Sequence, residues 1–191
     1  MSRRAGDGPP ARNEGNKVDH FPGDITIGGL VPAALVNELC LAIREAGVGG
    51  DWDAGGFEPY NAADLLAGLQ RGHLWLCHCS ATGGMFEELE KFLQQHGIAF
   101  DRRSDPFGGE YDGEQASFRP ADGTRRFVTD TDGHILVPQE TAKHVLALIA
   151  AGDGAAAAEM LGAAAGLDVP ALAAFAIDGD EGGETNGSSI G

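Results

Sequence analysis

The chain has 191 residues and a formal net charge of −16. That length allows one domain with appended segments, and the excess of acid opposes nucleic acid and anionic membrane while favouring a basic protein partner. Three cysteines, two of them (Cys77 and Cys79) a single residue apart, argue against a disulfide framework, and no apolar run approaches 18 residues, so the expectation is a cytoplasmic protein without a membrane span or secretion signal.

Residues 1–22 and 178–191 hold few apolar side chains and read as disordered arms, unable to offset their ordering entropy by burial. The first arm carries Arg3, Arg4, Arg12 and Lys17 against Asp7, Glu14 and Asp19, and the acidic tail carries no base, so the body between them keeps a balance of −13. Residues 23–151 read as an α+β core and 152–177 as an alanine-rich helical extension.

Asp24–Gly29 alternates polar and apolar and closes on two glycines, which predicts a strand and a tight turn. A helix is expected directly after it, with Pro32 in its first turn, Leu35, Val36, Leu39, Cys40 and Ile43 along one buried face, and Gly47 as its stop. Gly47–Tyr60 reads as a glycine-rich loop carrying Trp52, Phe57 and Tyr60, and Asn61 with Asp64 reads as the cap of a short helix. His73–Ser80 (HLWLCHCS) is the best candidate for a central strand, with both faces covered. The double glycine Gly83-Gly84 leads into a helix over Met85–Gln95, whose Phe86, Leu89, Phe92 and Leu93 form a stripe. Strands are then expected at 98–102, 115–119, 125–130 and 134–137, with Asp122-Gly123 and Asp132-Gly133 as hairpin turns. A helix over Gln139–Ala151 should bury Ala142, Val145, Leu146 and Ile149, and another should begin at Asp168 and Pro170 and carry Leu172, Phe175 and Ile177. The expected fold is therefore α+β, a mixed or antiparallel sheet with its late strands in a meander and helices packed on it.

Two groups of residues invite chemistry. His73, Cys77 and Cys79 share a strand face and are candidate metal ligands, but alternate positions on a straight strand lie about 6 to 7 Å apart and point in parallel, unlike the convergent pairs of structural zinc sites. Acids gather between 87 and 114: Glu87, Glu88 and Glu90 on the helix, then Asp105, Glu110, Asp112 and Glu114, with Phe107 and Tyr111 among them. Rings within an acidic rim have the composition of an interface, where aromatic area is desolvated and carboxylates steer the encounter. Glu87 and Glu88 follow the double glycine where a phosphate would sit, and no P-loop lysine follows, which excludes a nucleotide cofactor there; none of G-x-S-x-G, H-E-x-x-H or an EF-hand occurs, so no cofactor is expected.

GGMFEELEKFLQQHGIAFDR followed by EYDGEQASFRP, within Ala81–Pro120, resembles a group of small uncharacterised acidic proteins of phage and plasmid-type mobile elements. The resemblance implies no activity. Together with the charge it suggests an acidic protein-binding module, an antagonist that occupies the basic surface of a host defence or nucleic-acid-binding protein by charge mimicry. The alternative is a small metal-dependent enzyme or metal-stabilised domain built on His73, Cys77 and Cys79.

Overall fold

A computed structural model describes residues 19–53, 55–106 and 112–179. The rest of both expected arms lies outside the described residues, as do Phe107, Glu110 and Tyr111. The fold is α+β: a five-stranded antiparallel sheet in the order β3-β1-β4-β5-β6, built from β1 (His20–Gly28), β3 (Leu74–Thr82), β4 (Ala99–Ser104), β5 (Gly113–Arg119) and β6 (Gly123–Thr129), beside a parallel pair of β2 (Leu30–Pro32) and β7 (Ala176–Asp178). The helices are α1 (Val36–Ala46), α2 (Ala62–Ala67), α3 (Glu87–Gln95), α4 (Gln139–Ala150) and α5 (Gly154–Ala164).

Period-two alternation divides the sheet into two faces. Ile25 and Ile27 of β1, Leu74 and Leu76 of β3 and Phe100 of β4 point to one face, where they are buried with Val36, Leu39, Cys40 and Ile43 of α1 and Leu89 and Leu93 of α3. β3 and β4 both run antiparallel to β1, so α3 crosses over it between two parallel strands that β1 separates. Asn61 caps α2 by accepting from the Asp64 N–H at 3.1 Å, while the Asp64 carboxylate accepts from the Tyr60 N–H at 2.8 Å, a variant of the capping box. Gly47 ends α1 in the left-handed region at φ 64°, and Gly123 (φ 75°) and Gly133 (φ 81°) make the expected turns.

Several expectations are corrected. β1 begins at His20 and buries Phe21, so residues 20–22 belong to the sheet, not to an arm. The central strand is β4, with β1 between it and β3; β3 is an edge, its outer side paired among the described residues where Gly49 and Cys77 exchange two hydrogen bonds of 2.8 Å. Its apolar residues reflect the helices above it, and Cys79, Ser80 and Thr82 are exposed. Between β1 and α1 lie β2 and a short 3-10 turn over Ala33–Leu35, so Pro32 closes a strand instead of opening a helix. Of the expected strand 134–137 there remains one bridge from Ile135 to Thr129, flanked by the Asp130 N–H bond to the His134 carbonyl at 3.0 Å and the Leu136 N–H bond to the Val128 carbonyl at 2.8 Å. On α4 only Val145 is buried, while Leu146 and Ile149 are exposed.

The largest correction is at the end of the chain. Residues 168–178 form no helix: a turn ends at Val169, β7 pairs with β2, and Phe175 and Ile177 enter the main core at the i, i+2 spacing of a strand. This return needs Gly28, because a Cβ there would overlap the Ala173 carbonyl. Residues 172–177 are thus part of the core domain and not of an appended extension.

Candidate protein-docking groove

Below their buried stripes, α1 and α3 each carry a second face. On α1, Glu38, Leu41, Ala42, Glu45 and Ala46 recur at i, i+3, i+4, i+7 and i+8, and on α3, Glu88, Lys91, Phe92 and Gln95 recur at i, i+3, i+4 and i+7. The helices lie side by side, and these faces form the walls of a groove of about 850 Å³. Its floor comes from Phe86, Leu89 and Ala81, and His78, Ser80, Thr82 and Met85 close one end. That end is shaped by an irregularity in β3: Phe21 pairs with Ala81 and Gly23 with His78, so β3 carries an extra residue there. The bulge is held by the Ser80 N–H donating to Nδ1 of His78 at 3.0 Å.

The groove is apolar below and acidic at its rims. Leu41 is 47 % exposed although it is a large aliphatic side chain, and Phe92 is half-buried. Glu38, Glu45, Glu87 and Glu88 line the walls against the single cation Lys91, which lies 3.7 Å from Glu88. An exposed pair of that kind contributes little energy. The negative field at the rim is therefore little compensated.

The acids expected to act together are divided. Glu87 and Glu88 are exposed on the groove. Glu90, one turn on, faces inward: it is 5 % exposed, accepts from the Phe86 N–H at 3.0 Å, and lies 3.2 Å from Nε of the fully buried Arg102. That contact is off-axis for a hydrogen bond, which leaves the Arg102 Nε proton without an aligned acceptor. The same guanidinium reaches Ser104 Oγ at 3.2 Å and the Glu114 carboxylate, which also accepts from Arg126 at 2.7 Å. Glu90 is thus turned into the protein against Arg102, away from the surface expected of it, while Glu114 is one-third exposed and tied to Arg102 and Arg126. Asp105 and Asp112 are exposed but lie outside the groove lining.

The metal candidates do not assemble either. His73 holds the Leu172 carbonyl through Nε2 at 3.2 Å. Cys77 is buried, its thiol pushed up to about 11 chiefly by burial and then by Asp24, Asp51 and Cys79, while Cys79 is exposed. Among the described residues the one group of His, Cys, Asp or Glu whose ligand atoms converge within 4.8 Å is Asp130, Asp132 and His134, at the tip after β6. There the Asp130 carboxylate accepts from the backbone N–H groups of Asp132 and His134 at 2.9 and 2.8 Å, and these bonds, that of His134 first, lower its pKa; this is the chemistry of an Asx turn.

No family model matches the chain, and neither a curated protein nor a solved structure is similar to it.

Proposed function

We propose that the chain is an acidic protein-binding module whose groove between α1 and α3 docks a basic, amphipathic segment of a partner protein. The observation that carries this reading is the placement of four carboxylates, Glu38, Glu45, Glu87 and Glu88, around an apolar floor of Phe86, Leu89 and Ala81. Apolar side chains recurring at i, i+3 and i+4 on a partner helix would cover the floor, and lysines or arginines beside them would meet the rims. A surface that imitated nucleic acid would need its charges spread without an apolar floor. Here the chemistry favours a peptide, and the overall charge of −16 adds long-range steering toward a basic one.

Selection of a displayed random peptide library against the full chain tests this reading without a guess at the partner. The expected winners combine several Lys or Arg residues with apolar residues at helical spacing. They should bind less tightly as salt rises, and lose binding to the chain carrying Leu41→Glu or the pair Glu38→Lys and Glu45→Lys. Winners that are not basic, or that bind these variants unchanged, would refute it.

A further inference from the structure

On the face of the sheet turned away from α1 and α3, β1, β3 and β4 present a second constellation. In register, Trp75, Thr26 and Asp101 form one row, and Cys77, Asp24 and Arg103 the next. With His73 and Leu172 at its edge, this face encloses a pocket of about 360 Å³. Leu172 is fixed because the extended end of the chain crosses this face: the Pro170 carbonyl accepts from Arg119 Nε at 2.8 Å and the Leu172 carbonyl meets His73. Trp75 is fixed by its indole N–H, which donates to Asp24 at 3.2 Å, and by Trp52, packed against it edge-on at 5.8 Å.

Most polar groups of the pocket are already engaged. Asp101 takes both terminal nitrogens of Arg119, at 3.0 and 3.2 Å, and His73 faces the Leu172 carbonyl. Two groups keep capacity. Asp24 is satisfied only by the indole, and the Arg103 guanidinium, opposite it on β4, has no hydrogen bond or ion pair among the described residues. A carboxylate and a guanidinium that stand side by side without pairing, with an indole beside the carboxylate, are complementary to a ligand carrying both charges a few bonds apart.

We propose that this pocket binds a small zwitterion of the amino-acid type, its ammonium group on Asp24 and the Trp75 ring and its carboxylate in the fork of Arg103. The size suits one such molecule and not a peptide. Burial, which raises the Asp24 pKa against the opposing effects of Trp75 and Arg103, places the carboxylate where a cation gains most.

The chain holds two tryptophans, Trp52 and Trp75, and both lie here, so intrinsic fluorescence reads the pocket directly. The full chain is titrated with the non-aromatic free L-amino acids one at a time, and with acetate and methylamine as the separate halves. At least one amino acid should give a saturable change. Its affinity should fall roughly tenfold or more in Asp24→Asn and in Arg103→Gln, since each removes a charge-assisted hydrogen bond, and acetate and methylamine should each bind at least that much more weakly. Arg103 is exposed, so its variant keeps the fold, and circular dichroism verifies both. No saturable response from any amino acid, a response equal to that of one half alone, or one that survives both substitutions overturns the proposal.

Discussion

Replacing Arg102 by Met would remove a guanidinium that is fully buried while leaving most of its stem in place, and it tests which acids of this protein are structural. Two carboxylates would lose a partner, but unequally. Glu114 is one-third exposed and keeps Arg126, so water and that arginine compensate it. Glu90 has a side chain only 6 % exposed and would keep a single hydrogen bond, from the Phe86 N–H. Breaking a buried pair from one side generally destabilises by about 3 to 5 kcal/mol, and with one of the two acids still paired the lower end applies, about 3 kcal/mol. For a domain of this size that is a fall in Tm of roughly 6 to 12 °C. Glu90→Gln combined with Arg102→Met removes both charges and should recover part of the loss, giving a coupling on the order of 2 kcal/mol in a double-mutant cycle. Glu88→Gln, on the exposed face of the same helix, should shift stability by less than about 0.5 kcal/mol. Urea unfolding followed by far-ultraviolet circular dichroism measures the parent, Arg102→Met, Glu90→Gln, their combination and Glu88→Gln. If Arg102→Met unfolds within about 1 kcal/mol of the parent, or Glu90→Gln costs no more than Glu88→Gln, Glu90 is not a buried partner of Arg102.

Asp24→Asn should melt above the parent at pH 7, because the folded pKa of Asp24 is raised: the stability linked to its protonation is present below the unfolded value of 3.8 and is lost as pH rises through the folded value. The advantage of the variant should therefore vanish as pH falls below about 3.8, and an equal difference at both pH values would contradict it. Iodoacetamide on the native protein should modify Cys79 while sparing Cys77 and Cys40, both buried with raised pKa values; mass spectrometry of the digest decides, and prompt labelling of Cys77 would place its strand edge in water. Gly84→Ala should lower thermal stability clearly, since φ is +64° and the added Cβ would meet Ser104 and the Phe21 ring, whereas Gly162→Ala has open space and should be neutral or stabilising. On α4, Val145→Ala should cost about 2 kcal/mol and Leu146→Gln almost nothing, measured by denaturant unfolding.

What the sequence made legible follows from how local each signal is. The stripes of α1 and α3, the Asn61 cap and the Asp-Gly turns depend on residues within one or two turns of each other, and they appear where expected. The rank of a strand within a sheet depends on pairing partners far away, and a run such as LWLC gives the same pattern under helices at an edge as in a centre. Phe175 and Ile177 could be read at either helical or strand spacing, and the extended form wins because β2 offers hydrogen bonds that no helix there could use. The groove is half visible in the sequence: Glu87 and Glu88 stand out as charges, but Glu38, Leu41 and Glu45 fall on a helix whose buried stripe draws attention first. Their own i, i+3, i+7 recurrence was the signal that could have found them. Glu90 could not be told from Glu88 by type, only by its i, i+4 relation to Phe86 and by a buried arginine 12 residues away.

The placement of the bases explains why charge separates across this molecule. Of the nine Lys and Arg residues between 23 and 177, Arg102, Arg119, Arg125 and Arg126 pair with Glu90, Asp101, Asp168 and Glu114, Lys91 and Lys143 pair along their own helices, and Arg44 holds the Pro59 carbonyl with its guanidinium 4.5 Å from the centre of the Tyr60 ring. Arg71 and Arg103 remain. The strands therefore take up most of the positive charge internally, and among the helix acids Glu38, Glu45 and Glu87 around the groove have no cationic partner among the described residues. Because β1 directs Ile25 and Ile27 to one face and Asp24 and Thr26 to the other, the groove and the small pocket sit on opposite sides of the sheet with the core between them. Each can be changed without altering the other: substitutions at Glu38 and Glu45 should leave zwitterion binding intact, and substitutions at Asp24 and Arg103 should leave peptide binding intact. A loss that crossed from one face to the other would mean that the two sites are coupled through β1.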